Sequence, residues 1–427
     1  MTRNEMLIVR CFLVLLAIEP AGAQQAATKA ALPGAPRVFL LDAKHLQATR
    51  QRIRDGDKIL APAVAELERD AKRALDAGPF SVVNKNATPP SGDKHDYMSL
   101  APYFWPNPNT PDHMPYIRRD GERNPEINRI SDRGSIGRMV DAVETLALAY
   151  YFTDKEEYAA QAARLLRAWF LDPATYMNPN FQYAQAVPGV NTGRGIGLIE
   201  TVGLTQVADA VGLLAGSKAW TEADRLGLEE WFAKFLQWML ESKNGRDEAA
   251  ARNNHGTYYD VQVASFALFL GKKELAANVL SDARQKRIAA QVEPDGRQLL
   301  ELARTKAWGY SNGNLRGLMS LATLGERVGV DLWNYQSDDG RSIRKALDYI
   351  APFALDGRKW PYRQLGGWSP QVLYSSLRLA ALNYPDGPYR ALVSKLPAVD
   401  PATRSRLLRP LTRDRKSQEG DVRDGKQ

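Results

Sequence analysis

The chain has 427 residues, of which 44% are hydrophobic and 25% charged, an ordinary globular balance that permits a large core without disulfide or metal staples. Its formal net charge is +8, which favours an anionic partner; no nucleic-acid-binding motif accompanies the charge, so DNA and RNA are set aside. The one cysteine, Cys11, falls in a leader expected to be removed, which excludes disulfides, cysteine nucleophiles and thiolate metal sites from the mature chain.

In chain order, Arg3 and Arg10 flank a short apolar run (CFLVLLAI, 11–18) that leads to Ala21-Gly22-Ala23. This is the pattern of an export signal over residues 1–23, and it predicts a periplasmic protein. The run is too short to anchor in a bilayer, and no later stretch reads as apolar enough to span one, so no membrane partner is expected after cleavage. Residues 24–36 read as a flexible lead-in. Leu41 to Leu75 carries one or two helices, with Asp42 as N-cap. Residues 80–130 are rich in Pro, Asn, Asp, Gly and aromatics and read as a long structured loop, a kind of segment that is often functional.

From Arg138 the texture is helical. Met139, Val143, Leu146 and Tyr150 share one face, as do Tyr158, Ala162, Leu165, Leu166 and Trp169. Helices follow over 196–214, 221–240, 256–270, 273–291, 312–325, 342–353 and 371–382, punctuated by Gly, Pro, Asn and Asp. Strand-like alternation is nearly absent. The predicted fold is all-α: helical hairpins closing into an (α/α) toroid over 37–399, with an open solenoid as the alternative. Residues 400–427 are strongly charged and read as a disordered tail. Nothing in the sequence fixes an oligomeric state.

Only four histidines are available: His45, His95, His113 and His255. No zinc-protease, phosphate-loop or serine-hydrolase motif is present. His255 follows Asn253 and Asn254 just before an apolar helix, where the dipole disfavours imidazolium and leaves a ring able to accept a proton. The two amides there are placed to donate to a carboxylate, and Tyr258 lies one turn further on. A helix cap and a structural histidine would account for the same residues. Arg304, Lys306, Trp308 and Tyr310 cluster before another helix; a guanidinium pairs with carboxylates, and a tyrosine near cations has a lowered pKa and moves protons. A surface cation pair with a core aromatic is the plain reading. In the long loop, Lys94, His95 and Tyr97 stand in an aromatic-rich stretch (KHDYMSLAPYFWP) suited to stacking on sugars or to pinning the loop itself. Arg194 stands among glycines (NTGRGIG), placed to hold an anion or to pair with a carboxylate such as Glu200.

Together these motifs resemble the alginate lyase superfamily of helical-toroid polysaccharide lyases. The resemblance rests on Asn253-Asn254-His255 followed by Arg304 and Tyr310, on DYMSLAPYFWP (96–106) and on WFLDPATYMNPNFQYAQAVPG (169–189); the last two are closer to a glucuronan- and alginate-active branch. It implies an (α/α) toroid that cleaves a polyuronate by β-elimination, with no cofactor and no essential metal. Carried over residue by residue, Tyr310 is the proton-transfer residue and His255 a second one. Asn254 and Arg304 neutralise the substrate carboxylate, and Asn253, Lys94, His95, Tyr97, Arg194, Trp308 and Tyr258 line the sugar site. Two rivals stand beside this reading. A toroidal glycoside hydrolase would need a carboxylate pair, for which Glu200, Asp209, Asp260 and Glu301 are the candidates. A non-catalytic polysaccharide-binding protein would need only charge and aromatics.

Overall fold

Asp42 caps the first helix, its carboxylate accepting from His45 N at 2.8 Å, and the helical series begins there. The computed structural model describes residues 34–355, 358–396, 400 and 402–411. The predicted signal peptide, the lead-in up to residue 33 and residues 412–427 of the predicted tail lie outside the described residues. Helices α1 (Ala43–Arg54), α2 (Ala61–Ala74), α3 (Asp132–Thr153) and α4 (Glu156–Leu166) lead into α5 (Leu204–Leu213), α6 (Glu222–Glu241) and α7 (Lys243–Ala249). They are followed by α8 (Asn254–Phe269), α9 (Lys273–Ala283), α10 (Leu299–Leu302), α11 (Ala307–Gly325), α12 (Ile343–Leu355), α13 (Tyr374–Asn383), α14 (Tyr389–Lys395) and α15 (Ser405–Leu408).

Sequence neighbours pack as hairpins (α3 on α4, α8 on α9, α11 on α12, α13 on α14), and the hairpins are arranged as the expected (α/α) toroid. Its inner wall includes α3, α5, α8 and α11, which pack on one another and are buried on nearly all sides. That explains why α8, with 14 of 16 residues buried, shows no clean apolar stripe in its sequence. The predicted stripes of the outer hairpin hold: Tyr158, Ala162, Leu165, Leu166 and Trp169 are all fully buried.

Three details depart from the sequence reading. Residues 402–411, assigned by charge to the tail, fold onto the domain: Leu407 is buried and Arg404 pairs with Glu144 and Asp70. Three leucines (Leu407, Leu408, Leu411) supply the apolar contact that the surrounding charge masked. The helix expected over 196–214 is two pieces, a 3₁₀ stretch at Gly195–Thr201 and then α5. Gly195–Leu213 is also long and apolar enough to cross a membrane, contrary to expectation; 61% of it is buried, so its apolarity is that of a core helix.

The long loop is built as predicted, with four short strands giving it order. β1 (Met98–Leu100) pairs in parallel with β4 (Tyr183–Ala186), and β2 (Phe104–Trp105) pairs antiparallel with β3 (Ile117–Arg118). The loop is fastened to the toroid by a fully buried ion pair, Lys85 Nζ to Asp132 Oδ2 at 3.1 Å, with Met98 N also donating to Asp132 at 3.0 Å. The same loop reaches the start of α11, where Tyr103 and Asp120 make contact.

Candidate active site

His255 occupies the first turn of α8, and its Nδ1 lies 2.8 Å from Glu248 Oε1 at the end of α7. Glu248 is fully buried and its carboxylate accepts, so Nδ1 is the donor of this contact and the ring is oriented by it. Sequence reading missed Glu248. It lies seven residues upstream on a separate short helix, so no helical spacing links it to His255.

Asn253 takes the N-cap position with extended backbone (φ −125°), but its side chain does not cap the helix. The cap is supplied from elsewhere: Glu301 Oε1, on α10, accepts Asn254 N at 2.7 Å, a carboxylate at a helix N-terminus. Asn254 is buried and its Oδ1 has no donor. The two asparagine side chains are therefore not consumed as caps.

Tyr310 lies in the first turn of α11. Its hydroxyl accepts from Arg304 Nη2 at 2.8 Å and donates to Tyr103 Oη at 3.0 Å. The Arg304 guanidinium also lies 3.8 Å from the centre of the Tyr310 ring. Burial, then Tyr103, push the Tyr310 hydroxyl well above the ordinary tyrosine range, and Arg304 only partly opposes them. This corrects the expectation of a lowered value: the resting residue is a protonated phenol.

Arg304 is itself held by Asp120, through Nη2 to Oδ1 at 2.7 Å and Nε to both oxygens at 3.1 Å. Asp120 also takes Thr305 N and Oγ1, and these contacts outweigh burial to hold its carboxyl well below the usual carboxylate range. The loop reaches this point because Gly121 has no side chain; a Cβ there would lie 2.3 Å from Thr305 Oγ1, and its φ of +78° suits glycine. Arg304 thus holds Asp120 and Tyr310 through Nε and Nη2, contacts that the sequence reading of it as a partner for a substrate carboxylate did not include. Asp120 is 184 residues from Arg304 and Tyr103 is 207 from Tyr310, so neither was legible.

Arg194 stands just before the 3₁₀ stretch that packs on α7. Gly195 lets the 3₁₀ stretch lie against α7, where a Cβ would meet Asn244 O at 2.6 Å and Glu248 N at 3.1 Å. Arg194 donates to Gln185 O at 3.1 Å and Gln185 Oε1 at 3.0 Å, and lies 4.9 Å from the Phe104 ring centre. It does not bond Glu200, which instead takes Tyr97, Ser99 and Arg133. Burial and then Arg118 lower the Arg194 guanidinium to about 10, so it stays cationic at neutral pH. Gln185 is held in left-handed backbone (φ +50°), and both its oxygens face Arg194. Two sets of contacts, joined by Arg304 N on Glu301 O at 3.2 Å, form a circuit of neighbours: Tyr103, Tyr310 and Arg304 in one, Glu301 with Asn254 and His255 with Glu248 in the other.

Several predicted sugar contacts fall outside this circuit. Tyr97 is fully buried, stacked 4.0 Å from the Phe181 ring, with its hydroxyl on Glu200 at 2.6 Å. Trp308 is 1% exposed and donates to Ser369 O. Tyr258 gives its hydroxyl to Gly313 O at 2.7 Å. Tyr97 and Trp308 are corrected to packing roles; large aromatic area and a satisfied polar tip are what cores use. Lys94 Nζ is bound to Lys85 O and His95 Nδ1 to Tyr176 O, so both fasten their own loop. The carboxylates a hydrolase would need are also engaged. Asp209 accepts three backbone N–H groups, Asp260 pairs with Arg287, and Glu200 and Glu301 are bound as described. Among the described residues no group of three or more His, Cys, Asp or Glu is placed to hold a metal ion.

The fold that carries these residues has counterparts in known proteins. The alginate lyase family model matches residues 81–360. An alginate lyase from Bacteroides ovatus superposes with a TM-score of 0.85 at 40% identity, covering 88% of this chain and 100% of that one. Alginate lyase A1-III from Sphingomonas species A1 shares the fold at 16% identity, with a TM-score of 0.56 over 88% of this chain and 97% of that one. A histidine-to-alanine variant of that enzyme, complexed with a tetrasaccharide, gives 0.58 at 16% identity, over 88% of this chain and 97% of its own. A search of curated protein sequences gives no match. The chain belongs to the alginate lyase family and is a polysaccharide lyase.

Proposed function

We propose that the enzyme cleaves a β-1,4-linked polyuronate, glucuronan or mannuronate-rich alginate, by β-elimination, leaving 4,5-unsaturated uronate ends, and that it acts in the periplasm after export. The observation that carries this reading is the Tyr310 hydroxyl, held between Arg304 and Tyr103 in the first turn of α11. The similar structures are alginate lyases, one of them bound to a tetrasaccharide, which supports an extended sugar substrate.

The chemistry follows from stereochemistry. In β-1,4-linked glucuronate and mannuronate, H5 and O4 leave from the same side, so one group suffices. As a phenolate, Tyr310 takes H5 and returns the proton to O4. Arg304 stabilises that phenolate, while the Asn254 amide and Arg194 meet the substrate carboxylate and the enolate-like charge that develops on it. In guluronate H5 lies on the opposite side, and His255 Nε2, oriented by Glu248, supplies the second base.

The test is ultraviolet absorbance over time with glucuronan, polymannuronate, polyguluronate, pectate and hyaluronan. A rise on glucuronan or polymannuronate is expected. A rise confined to pectate or hyaluronan overturns the substrate assignment.

A further inference from the structure

Glu301 is 1% exposed, and only one of its oxygens has a partner: Oε1 accepts Asn254 N–H at 2.7 Å. Oε2 is sealed from solvent without a donor, and so is Asn254 Oδ1 on the residue it caps. Two acceptors cannot satisfy each other, and an unmade bond on a buried oxygen is costly. A proton on Oε2 turns that oxygen from an unmet acceptor into a donor, on the residue that already caps Asn254, whose Oδ1 lacks one. The charged and titratable groups around Glu301 do not supply these oxygens with donors. Arg304 is bonded to Asp120 and Tyr310, His255 to Glu248, and Tyr258 to Gly313 O. From α11, Ser311 Oγ and Asn312 Oδ1 are themselves buried without partners.

We infer that Glu301 works as a neutral carboxylic acid, a positioning residue whose proton fixes the Asn254 side chain with its NH₂ toward the substrate. This rests on the polyuronate reading above. Burial pushes the Glu301 carboxyl up to about 6, against the Asn254 N–H, Arg304 and His255. An arriving uronate carboxylate places a further negative charge nearby and favours the proton more, so substrate binding and protonation are linked.

The experiment compares wild type, Glu301→Gln and Glu301→Ala on the polyuronate that the wild type degrades, from about pH 5 to about pH 8, with unfolding midpoints over the same range. Gln retains an oxygen for Asn254 N–H and offers an N–H where the acid offers its proton. Alanine is expected to lower kcat/KM by at least about tenfold, as loss of an outer hydrogen-bond partner does, and Gln to restore it to within about threefold. Wild-type KM is expected to rise with pH, while that of the Gln variant stays level. The unfolding midpoints need no substrate. A glutamate raised in the folded state contributes stability that is full below its unfolded value, about 4.3, and lost as pH rises through about 6. The Gln variant therefore gains on wild type across that interval. Equal damage from Gln and Ala, or a midpoint difference flat in pH, overturns the inference. If the wild type degrades no polyuronate, the substrate reading falls while the midpoints still decide the state of Glu301.

Discussion

Replacing Tyr310 by Phe deletes one oxygen and keeps the ring under Arg304. The hydroxyl makes two hydrogen bonds, from Arg304 at 2.8 Å and to Tyr103 at 3.0 Å, and Arg304 keeps its Asp120 pair without it. The cost to folding is that of two partly buried hydrogen bonds, about 1–3 kcal/mol. The cost to turnover is larger, because in the proposed mechanism this oxygen carries the proton away from C5 and back to O4. One positioned proton transfer is worth roughly 10²–10⁴, so losing both steps lowers kcat by at least about 10⁴. That is roughly 5.5 kcal/mol on the barrier at ~1.4 kcal/mol per decade. The assay is the initial rate of unsaturated-product absorbance, with calorimetric substrate affinity and an unfolding midpoint measured in parallel. Affinity within about threefold of wild type and an intact fold are expected, because the residue's largest contribution is made in the transition state. A variant that keeps more than about a tenth of wild-type kcat refutes Tyr310 as the proton carrier.

Other expectations follow from neighbouring contacts. His255→Ala should cause a severe loss, greatest on guluronate-containing substrate, and Glu248→Gln a loss of about 10–100-fold from loosening the ring and its tautomer; unchanged rates in both would make the pair structural. Since burial and Tyr103 hold the Tyr310 proton on, the phenolate fraction grows with pH, and kcat on a same-side substrate should climb through and above neutrality. A kcat that falls steadily from about pH 6 upward contradicts a phenolate base. Arg194→Ala should raise KM by about tenfold with a smaller change in kcat, since a partly buried charged hydrogen bond to the substrate carboxylate is lost. An unchanged KM removes Arg194 from the carboxylate site.

What was legible in the sequence was periodicity and local juxtaposition. Hairpin stripes such as Tyr158–Trp169 predicted outer helices because one face meets water. The inner helix α8 was legible mainly through its start, Asn253-Asn254-His255, since a helix buried on nearly all sides has no stripe. Arg304 and Tyr310 were found together because six residues separate them in sequence. The groups that set their chemistry were not legible. Asp120, Tyr103 and Glu248 arrive through a long loop and a break between short helices, where no periodicity ties one residue to another. Aromatic richness misled at Tyr97 and Trp308, because a ring that stacks on sugar and a ring that fills a core are written with the same letters.

The charge balance of the site decides which cation receives a polyanion. Arg304 is matched by Asp120, which also takes the more exposed Arg118 at 2.7 Å. Arg194 differs: its hydrogen bonds go to the carbonyl and amide oxygens of Gln185, which orient a guanidinium without neutralising it. Burial presses against that charge but leaves it on at neutral pH. A partly buried cation with only neutral acceptors gains more from an incoming carboxylate than one already in an ion pair, whose new partner must compete with the old. The left-handed backbone of Gln185 is stabilised by what it arranges, two acceptors on one arginine. In the proposed mechanism, carboxylate recognition is therefore assigned to Arg194 with Asn254, and Arg304 to holding the proton carrier.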